Sequence, residues 1–260
     1  MSERTAHVSD HWEGDTAAAW AARWRLPRLE VYDRIGSTND RAMALAESGA
    51  EPFTAVLAEE QTAGRGREGR RWESPEGSGL WISFVAPAAP PSELARVPLL
   101  AGLAVCRAIE RAAPGVRAWL KWPNDVLVEG RKVSGVLCEA SGTSVVVGVG
   151  VNVRPNALGS ELAGSAGALD DVAEPPVDRA ALAGALAAEL RELLEGGPRV
   201  FDGPLARELA ARDLLHGRPI AAAAGAIGVA RGIDRDGALR VEVGPGDVRR
   251  VLAGGVRIRD

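Results

Sequence analysis

Apolar and polar positions along the chain follow two alternating periods. In GLWISFVA, Leu80, Ile82 and Phe84 fall on one side and Trp81, Ser83 and Val85 on the other, the period of a strand. FTAVLAEE predicts an earlier strand that leads straight into an arginine-rich loop. LARVPLLAGLAVCRAIERA carries its apolar residues at helical spacing. IGSTNDRAMALAESG predicts a capped helix, with Ser37 or Thr38 as N-cap, Asp40 in the first turn and Gly49 at the end. From Ala118 to Val153, three or four strands punctuated by Pro-Asn-Asp, Glu-Gly-Arg and Ser-Gly predict an antiparallel meander. Asp178 to Glu195 predicts an amphipathic helix and LARELAARDLL another, with a Gly/Ala/Pro-rich loop over 156–176 before them.

From about Gly217 the pattern changes. Short β-like pieces alternate with Asp236-Gly237 and Gly244-Pro245-Gly246, and Asp-Gly between alternating segments is a strong hairpin signal. The tail therefore predicts a separate small β-barrel of about 45 residues, marginal by itself and docked on the rest. The whole reads as an α+β fold: a central mixed or antiparallel sheet with flanking helices, plus the barrel. The expected divisions are an N-terminal arm over 1–28, a main domain over 29–214 and the terminal domain over 215–260. In the arm, Trp20 and Trp24 share a helical face, while His7 and His11, lacking a third ligand, read as a mobile polar tail.

Composition narrows the classes. A hydrophobic share of 46% and a charged share of 25% are ordinary for a soluble globular chain, and a net charge of -4 argues against general nucleic-acid affinity. The opening residues are polar, unlike a signal peptide, and the runs SVVVGVGVNV and AAAAGAIGVA are shorter than the roughly 20 residues a membrane span needs. Cys106 and Cys138 lack zinc-like spacing and read as reduced core residues, which fits a cytoplasmic location.

Three stretches carry candidate chemistry. GRGREGRRW, Gly64 to Trp72, sets four arginines against one glutamate. Its glycines at 64, 66 and 69 permit positive φ and expose backbone N–H groups, arginine forks suit phosphate or carboxylate, and Trp72 can stack on a base. A solvated turn fits equally well, and the loop is not a Walker A motif. In WLKWPND, Trp119 and Lys121 share one face and Leu120 and Trp122 the other. Lys121 is placed as a point charge for an anion, and Asn124 and Asp125 offer oxygens of the kind Mg²⁺ accepts, unless this is an ordinary Asn-Asp turn. In SVVVGVGVNV, Val145, Val147, Val149 and Val151 point one way and Val146, Gly148, Gly150 and Asn152 the other; paired glycines admit either a ligand or a tightly packed neighbour.

Together GSTND at 36–40, EEQTAGRGREGRRW at 59–72, KWPNDVLV at 121–128, RKVSGVLCE at 131–139 and VGVGVN at 147–152 resemble biotin protein ligases, and RGIDRDGALRVE resembles their SH3-like terminal domain. The resemblance runs in order over most of residues 30–260. It implies a class II synthetase-like catalytic domain that uses ATP, with Mg²⁺, to turn biotin into biotinyl-5′-AMP. The biotinyl group then passes to a lysine of a biotin carboxyl carrier protein or domain of an acyl-CoA carboxylase. It implies biotin contacts from Ser37, Thr38, Asn39 and Gln61. Gly64, Arg65, Gly66 and Arg67 would surround the carboxylate and phosphates, and Trp72 would pack on adenine. Lys121, with Arg67, would be catalytic. Gly148 and Gly150 would line the biotin slot, with Gly135 and Asn152 beside them, and Asn124 and Asp125 would lie near the metal. Too few residues precede GSTND for a winged helix, so no DNA-binding repressor role is expected, nor a membrane association. Edge strands leave monomer and homodimer open. The fold is shared with lipoate ligases and octanoyl transferases, and a nucleic-acid adaptor is the non-enzymatic alternative. The arginine loop is expected to be mobile and to close over the adenylate.

Overall fold

The computed structural model describes residues 6–155, 166–197, 199–223 and 225–259. Its strands are β1 (His7–Ser9), β2 (His11–Trp12), β3 (Asp15–Thr16), β4 (Leu29–Ile35), β5 (Ala55–Gln61), β6 (Gly79–Ala86), β7 (Ala118–Lys121), β8 (Asp125–Val128), β9 (Arg131–Ser141) and β10 (Ser144–Asn152). Helices α1 (Ala17–Arg23), α2 (Thr38–Glu47), α3 (Val97–Ala112), α4 (Arg179–Leu194) and α5 (Gly203–Arg212) accompany them. Eight strands form one sheet in the order β1-β4-β5-β6-β10-β9-β8-β7. Only β4 and β5 run parallel; β7 to β10 are the expected antiparallel meander.

The alternation read from the sequence sorts the side chains between two layers. Leu80, Ile82 and Phe84, with Val145, Val147, Val149 and Val151, join the main core with α3 and α4. Val85 and Val146 face the other way, into a smaller cluster with Ala42 and Leu45 of α2. The face carrying Gly148 and Gly150 is therefore the α2 face. Asp178 caps α4, its carboxylate accepting from the N–H groups of Ala180 at 2.8 Å and Ala181 at 3.0 Å. No helix among the described residues is long and apolar enough to cross a membrane.

The arm is not a mobile tail. β1 pairs along the edge of β4, and His7 Nδ1 lies 2.6 Å from an oxygen of Asp33. Trp20 and Trp24 share their helical face as expected, stacking at 5.1 Å between centroids, and Trp12 packs edge-on to both. The Trp12 indole N–H donates to Glu59 in β5. Arg179 binds the same carboxylate at 2.9 Å, pairs with Glu13 at 2.5 Å and donates to the Gly79 carbonyl at 3.0 Å. Gly77 donates its N–H to the other Glu59 oxygen at 3.0 Å. Buried aromatic area and this ion network hold a segment whose polar residues suggested disorder.

A second, five-stranded antiparallel sheet follows, built from β11 (Pro219–Ala222), β12 (Ile227–Ile233), β13 (Leu239–Gly244), β14 (Asp247–Val251) and β15 (Val256–Ile258). Its order is β14-β13-β12-β11-β15. The expected barrel is not closed: the end strands β14 and β15 do not pair with one another. Closure needs matched tilt and stagger around the whole ring, and β15 is only three residues long. The Asp236-Gly237 turn joins β12 and β13 as expected. Gly237 has φ +92°, which favours glycine, and a Cβ there would come within 3.2 Å of the Ala95 carbonyl and Leu99. The Trp122 indole donates to the Gly237 carbonyl at 3.0 Å, and Leu239 and Val256 join the main core, so the sheet is docked. The loop expected over 156–176 lies partly outside the described residues.

Candidate functional site

Sheet register builds the site. Lys121 pairs with Asp125, Asp125 with Gly135, Gly135 with Gly150, and Gly150 with Trp81, one continuous row across five strands. Paired residues share a face, so the two glycines form a trough between a charged end and an aromatic end. The Trp72 indole lies in that trough. A Cβ at Gly150 would sit 2.5 Å from its Nε1, and a Cβ at Gly135 would sit 3.0 Å from its ring. Trp81 meets Trp72 edge-on at 6.4 Å, and the Lys132 ammonium lies 5.2 Å from the Trp72 ring centroid. In the neighbouring row Leu137 pairs with Gly148 and Gly148 with Ser83. There a Cβ at Gly148 would collide with the Asn39 amide. Both glycines thus make room for functional side chains rather than for bare ligand.

Helix α2 brings its first turn onto this face. Ser37 stands at the N-cap, but its hydroxyl does not cap the helix. The Thr38 N–H instead donates to Gln61 Oε1 at 2.9 Å, and Gln61 Nε2 donates to Ser74 at 2.9 Å. Ser83 Oγ lies 2.7 Å from the Thr38 hydroxyl and 2.6 Å from Asn39 Oδ1, while the Asn39 amide donates to Glu139 at 2.7 Å. Donors and acceptors are fully interlocked, so the floor is rigid and polar.

The arginine loop lies over the floor as a tight hairpin. Gly66 N–H donates to the Arg70 carbonyl at 2.7 Å and Trp72 N–H to the Gly64 carbonyl at 3.0 Å. Of its three glycines only Gly69 has positive φ, at +72°; Gly64 is needed because a Cβ there would strike the Trp72 carbonyl. Arg65 pairs with Asp40 at 2.6 Å and Glu139 at 2.7 Å. Partial burial disfavours its charged form, but the hydrogen bond it donates to Glu139 and the charge of Asp40 prevail and raise its pKa. Arg67 donates to Asn124 Oδ1 at 2.9 Å and to the Gly254 carbonyl at 3.3 Å. The Lys121 side chain makes no ion pair or hydrogen bond among the described residues.

These groups surround one cavity of about 870 Å³. Ser37, Thr38, Asn39, Gln61, Arg65, Gly66, Arg67, Trp72, Lys121, Asn124, Asp125, Gly135, Gly148, Gly150 and Asn152 all line it. Gly64 alone of the predicted set does not, acting instead through the hairpin. Asn124 and Asp125 have other partners than a metal. The Asn124 side chain bridges Arg67 and the Val136 carbonyl, and Asp125 pairs with Lys132 at 2.6 Å. No cluster of three or more His, Cys, Asp or Glu among the described residues could hold an ion. The side chains of Asn124 and Asp125 are thus committed to protein partners and do not by themselves make a resident metal centre.

The profile of the biotin/lipoate A/B protein ligase family matches residues 31–156. The Bacillus subtilis bifunctional ligase/repressor BirA is 41% identical over 160 residues, which are 58% of this chain but 49% of that protein, so the chain matches about half its length. The biotin--[acetyl-CoA-carboxylase] ligase of Mycobacterium tuberculosis is 36% identical over 85% of both chains. The chain belongs to the biotin protein ligase family. The solved Aquifex aeolicus biotin protein ligase in complex with biotin and ATP superposes with a TM-score of 0.72 at 28% identity, covering 90% of this chain and 99% of that one.

Several residues that build this site carried no assigned role in the sequence. Ser83 and Glu139, which hold Thr38, Asn39 and Arg65 from beside the cavity, and Lys132, which lines it, are of this kind: Ser83 is detectable as a lone hydroxyl in an apolar strand, and Lys132 and Glu139 lie within RKVSGVLCE. Ala221 to Ala223 and Gly255 to Arg257, the wall from the second sheet, gave no local signal because docking alone brings them there.

Proposed function

We propose that the protein is an ATP-dependent ligase that activates biotin as biotinyl-5′-AMP and transfers the biotinyl group to a lysine of a carboxylase carrier domain. The observation that carries this reading is the Lys121 ammonium, without a partner among the described residues, in the cavity that also holds the polar floor and the arginine loop. A carboxylate is a poor electrophile. Its oxygen attacks the α-phosphorus of Mg-ATP, the bond to the bridging oxygen breaks, and pyrophosphate leaves. The carrier amine then attacks the acyl carbon, loses its proton, and AMP departs.

The floor of Thr38, Asn39 and Gln61 suits the neutral ureido ring, offering donors and acceptors held in place. Lys121 and Arg67 supply charge where it accumulates between carboxylate and α-phosphate, so catalysis rests on positioning and electrostatic stabilisation. Trp72, held in the glycine trough, is the flat surface for adenine. The free thiols of Cys106 and Cys138, both pushed up to about 12 by burial, are inert and suit a reducing, cytoplasmic setting.

Biotin-dependent ATP–pyrophosphate exchange, followed by streptavidin blotting of purified carrier domain, tests the proposal. Exchange driven by lipoate and not by biotin would move the protein to the lipoyl branch, and absence of any exchange would leave a binding protein.

A further inference from the structure

Asn39 is buried in the cavity floor, and its neighbours decide which way round its side-chain amide stands. The Glu139 carboxylate and the Leu137 carbonyl are acceptors, and they lie 2.7 Å and 3.3 Å from Nδ2. The nitrogen therefore faces them, and both its protons are used. On the other side the Ser83 hydroxyl donates to Oδ1 at 2.6 Å, where a Cβ at Gly148 would collide with that oxygen. One lone pair of Oδ1 is left over. At position 39 the floor accepts a hydrogen bond and has none to give.

Of the three groups that set this orientation, only Glu139 is charged. A reversed amide would bring Oδ1 against the carboxylate, two acceptors at hydrogen-bond distance, and would leave the Ser83 hydroxyl facing a donor. Glu139 is itself held in place. Register sets it opposite Val146, on the α2 face, beside the cavity and outside its lining. The oxygen that accepts from Asn39, Oε2, also accepts from Arg65 Nη2 at 2.7 Å. Arg65 Nη1 in turn reaches Asp40 at 2.6 Å, the residue after Asn39 in the first turn of α2. Asn39, Glu139, Arg65 and Asp40 thus close a ring, and its charge-assisted bonds fix the carboxylate more firmly than neutral ones would.

Resting on the ligase reading above, we propose that Glu139 is a positioning residue: it touches no substrate and fixes the Asn39 amide so that the floor offers a carbonyl oxygen to a ureido N–H of biotin. Calorimetric titration of the full chain with biotin, without ATP, tests it. The parent is compared with Glu139→Ala, Glu139→Gln, Asn39→Asp and the double variant Asn39→Asp/Glu139→Gln, with melting temperatures read alongside. Glu139→Ala frees the amide to turn and is expected to weaken biotin about tenfold or more. Asn39→Asp sets two carboxylates face to face and is expected to weaken it at least as much. In the double variant the new amide at 139 donates to the new carboxylate at 39, whose other oxygen still faces the floor. Biotin affinity should return to within about threefold of the parent. A residue that merely supported the fold would show no such recovery. Parent-like affinity in Glu139→Ala overturns the proposal. So does a double variant that binds no better than Asn39→Asp, a comparison that stands even if Glu139→Ala fails to fold. A parent that takes up no biotin overturns the ligase reading itself.

Discussion

Arg67 Nη1 donates to Asn124 Oδ1 at 2.9 Å, fastening the arginine loop to the turn between β7 and β8. The same guanidinium reaches the Gly254 carbonyl, so one side chain joins loop, meander and second sheet. Arg67→Gly removes this fastening and one cation lining the cavity. The adenylate is expected to dissociate at least tenfold faster, on the scale of one charge-assisted hydrogen bond. Retention of biotinyl-5′-AMP through rapid desalting measures it; equal half-lives on variant and parent would remove Arg67 from this role.

Loop closure has its own signature. Arg65, Arg67, Arg70 and Arg71 are tryptic sites, and Arg65, Arg70 and Arg71 keep accessible surface without ligand. Biotin with Mg-ATP is expected to slow cleavage within 65–71 several-fold, whereas cutting elsewhere stays unchanged. Uniform protection of all sites would point to global stabilisation instead.

Gly150→Ala places a methyl 2.5 Å from Trp72 Nε1 and must push the indole out of its trough. Overpacking of this kind costs about 1–3 kcal/mol. Expected are a lower melting temperature and weaker ATP binding, with tryptophan emission shifted to the red as Trp72 gains water. Unaltered emission would show that the trough accommodates the methyl.

Acid should weaken the fold through the charge network between α3, α4 and α5. Arg107 holds Glu208 below its ordinary value, and also binds the buried Glu189 at 2.9 Å. A lowered carboxylate stabilises the folded state above its unfolded value of about 4.5, and that contribution is lost as pH falls through the lower folded value. Arg107→Ala leaves three carboxylates, Glu189, Glu192 and Glu208, short of a partner and is expected to cost on the order of 3 kcal/mol at neutral pH. The loss should shrink as pH falls below 4.5, which melting curves across that range would register.

Asp213 has the opposite sign. Burial raises its pKa, and Oδ2 has no hydrogen-bond partner among the described residues. Its contribution is present below the unfolded value of about 3.8 and lost as pH rises through the higher folded value. Asp213→Asn is expected to melt higher than the parent at neutral pH, with the gap closing on acidification. A variant less stable at every pH would contradict this.

What the sequence made legible follows from which forces act locally. Alternation in β6 and β10 assigned each side chain to its layer, because period and burial are tied in a central sheet. It also placed Gly148 and Gly150 on the site face. It left open what meets them, and the answer, Asn39 and Trp72, depends on how α2 and a distant loop settle on that face. The arm misled because His7 to Ser9 are held by backbone pairing with β4, and Trp12 by tryptophans further along the chain. Closure of the terminal sheet and its share of the cavity wall depend on strand tilt and docking, which no local pattern encodes.

Glu59 binds Trp12, Arg179 and the Gly77 N–H at once, so the arm grips the segment on which the arginine loop returns to the sheet. Trimming the chain to start at β4, the natural cut for a minimal catalytic fragment, would strip Glu59 and Arg179 of their aromatic and acidic partners. The shortened protein would gain slack at the loop's anchorage and would be a poorer reagent than the full chain.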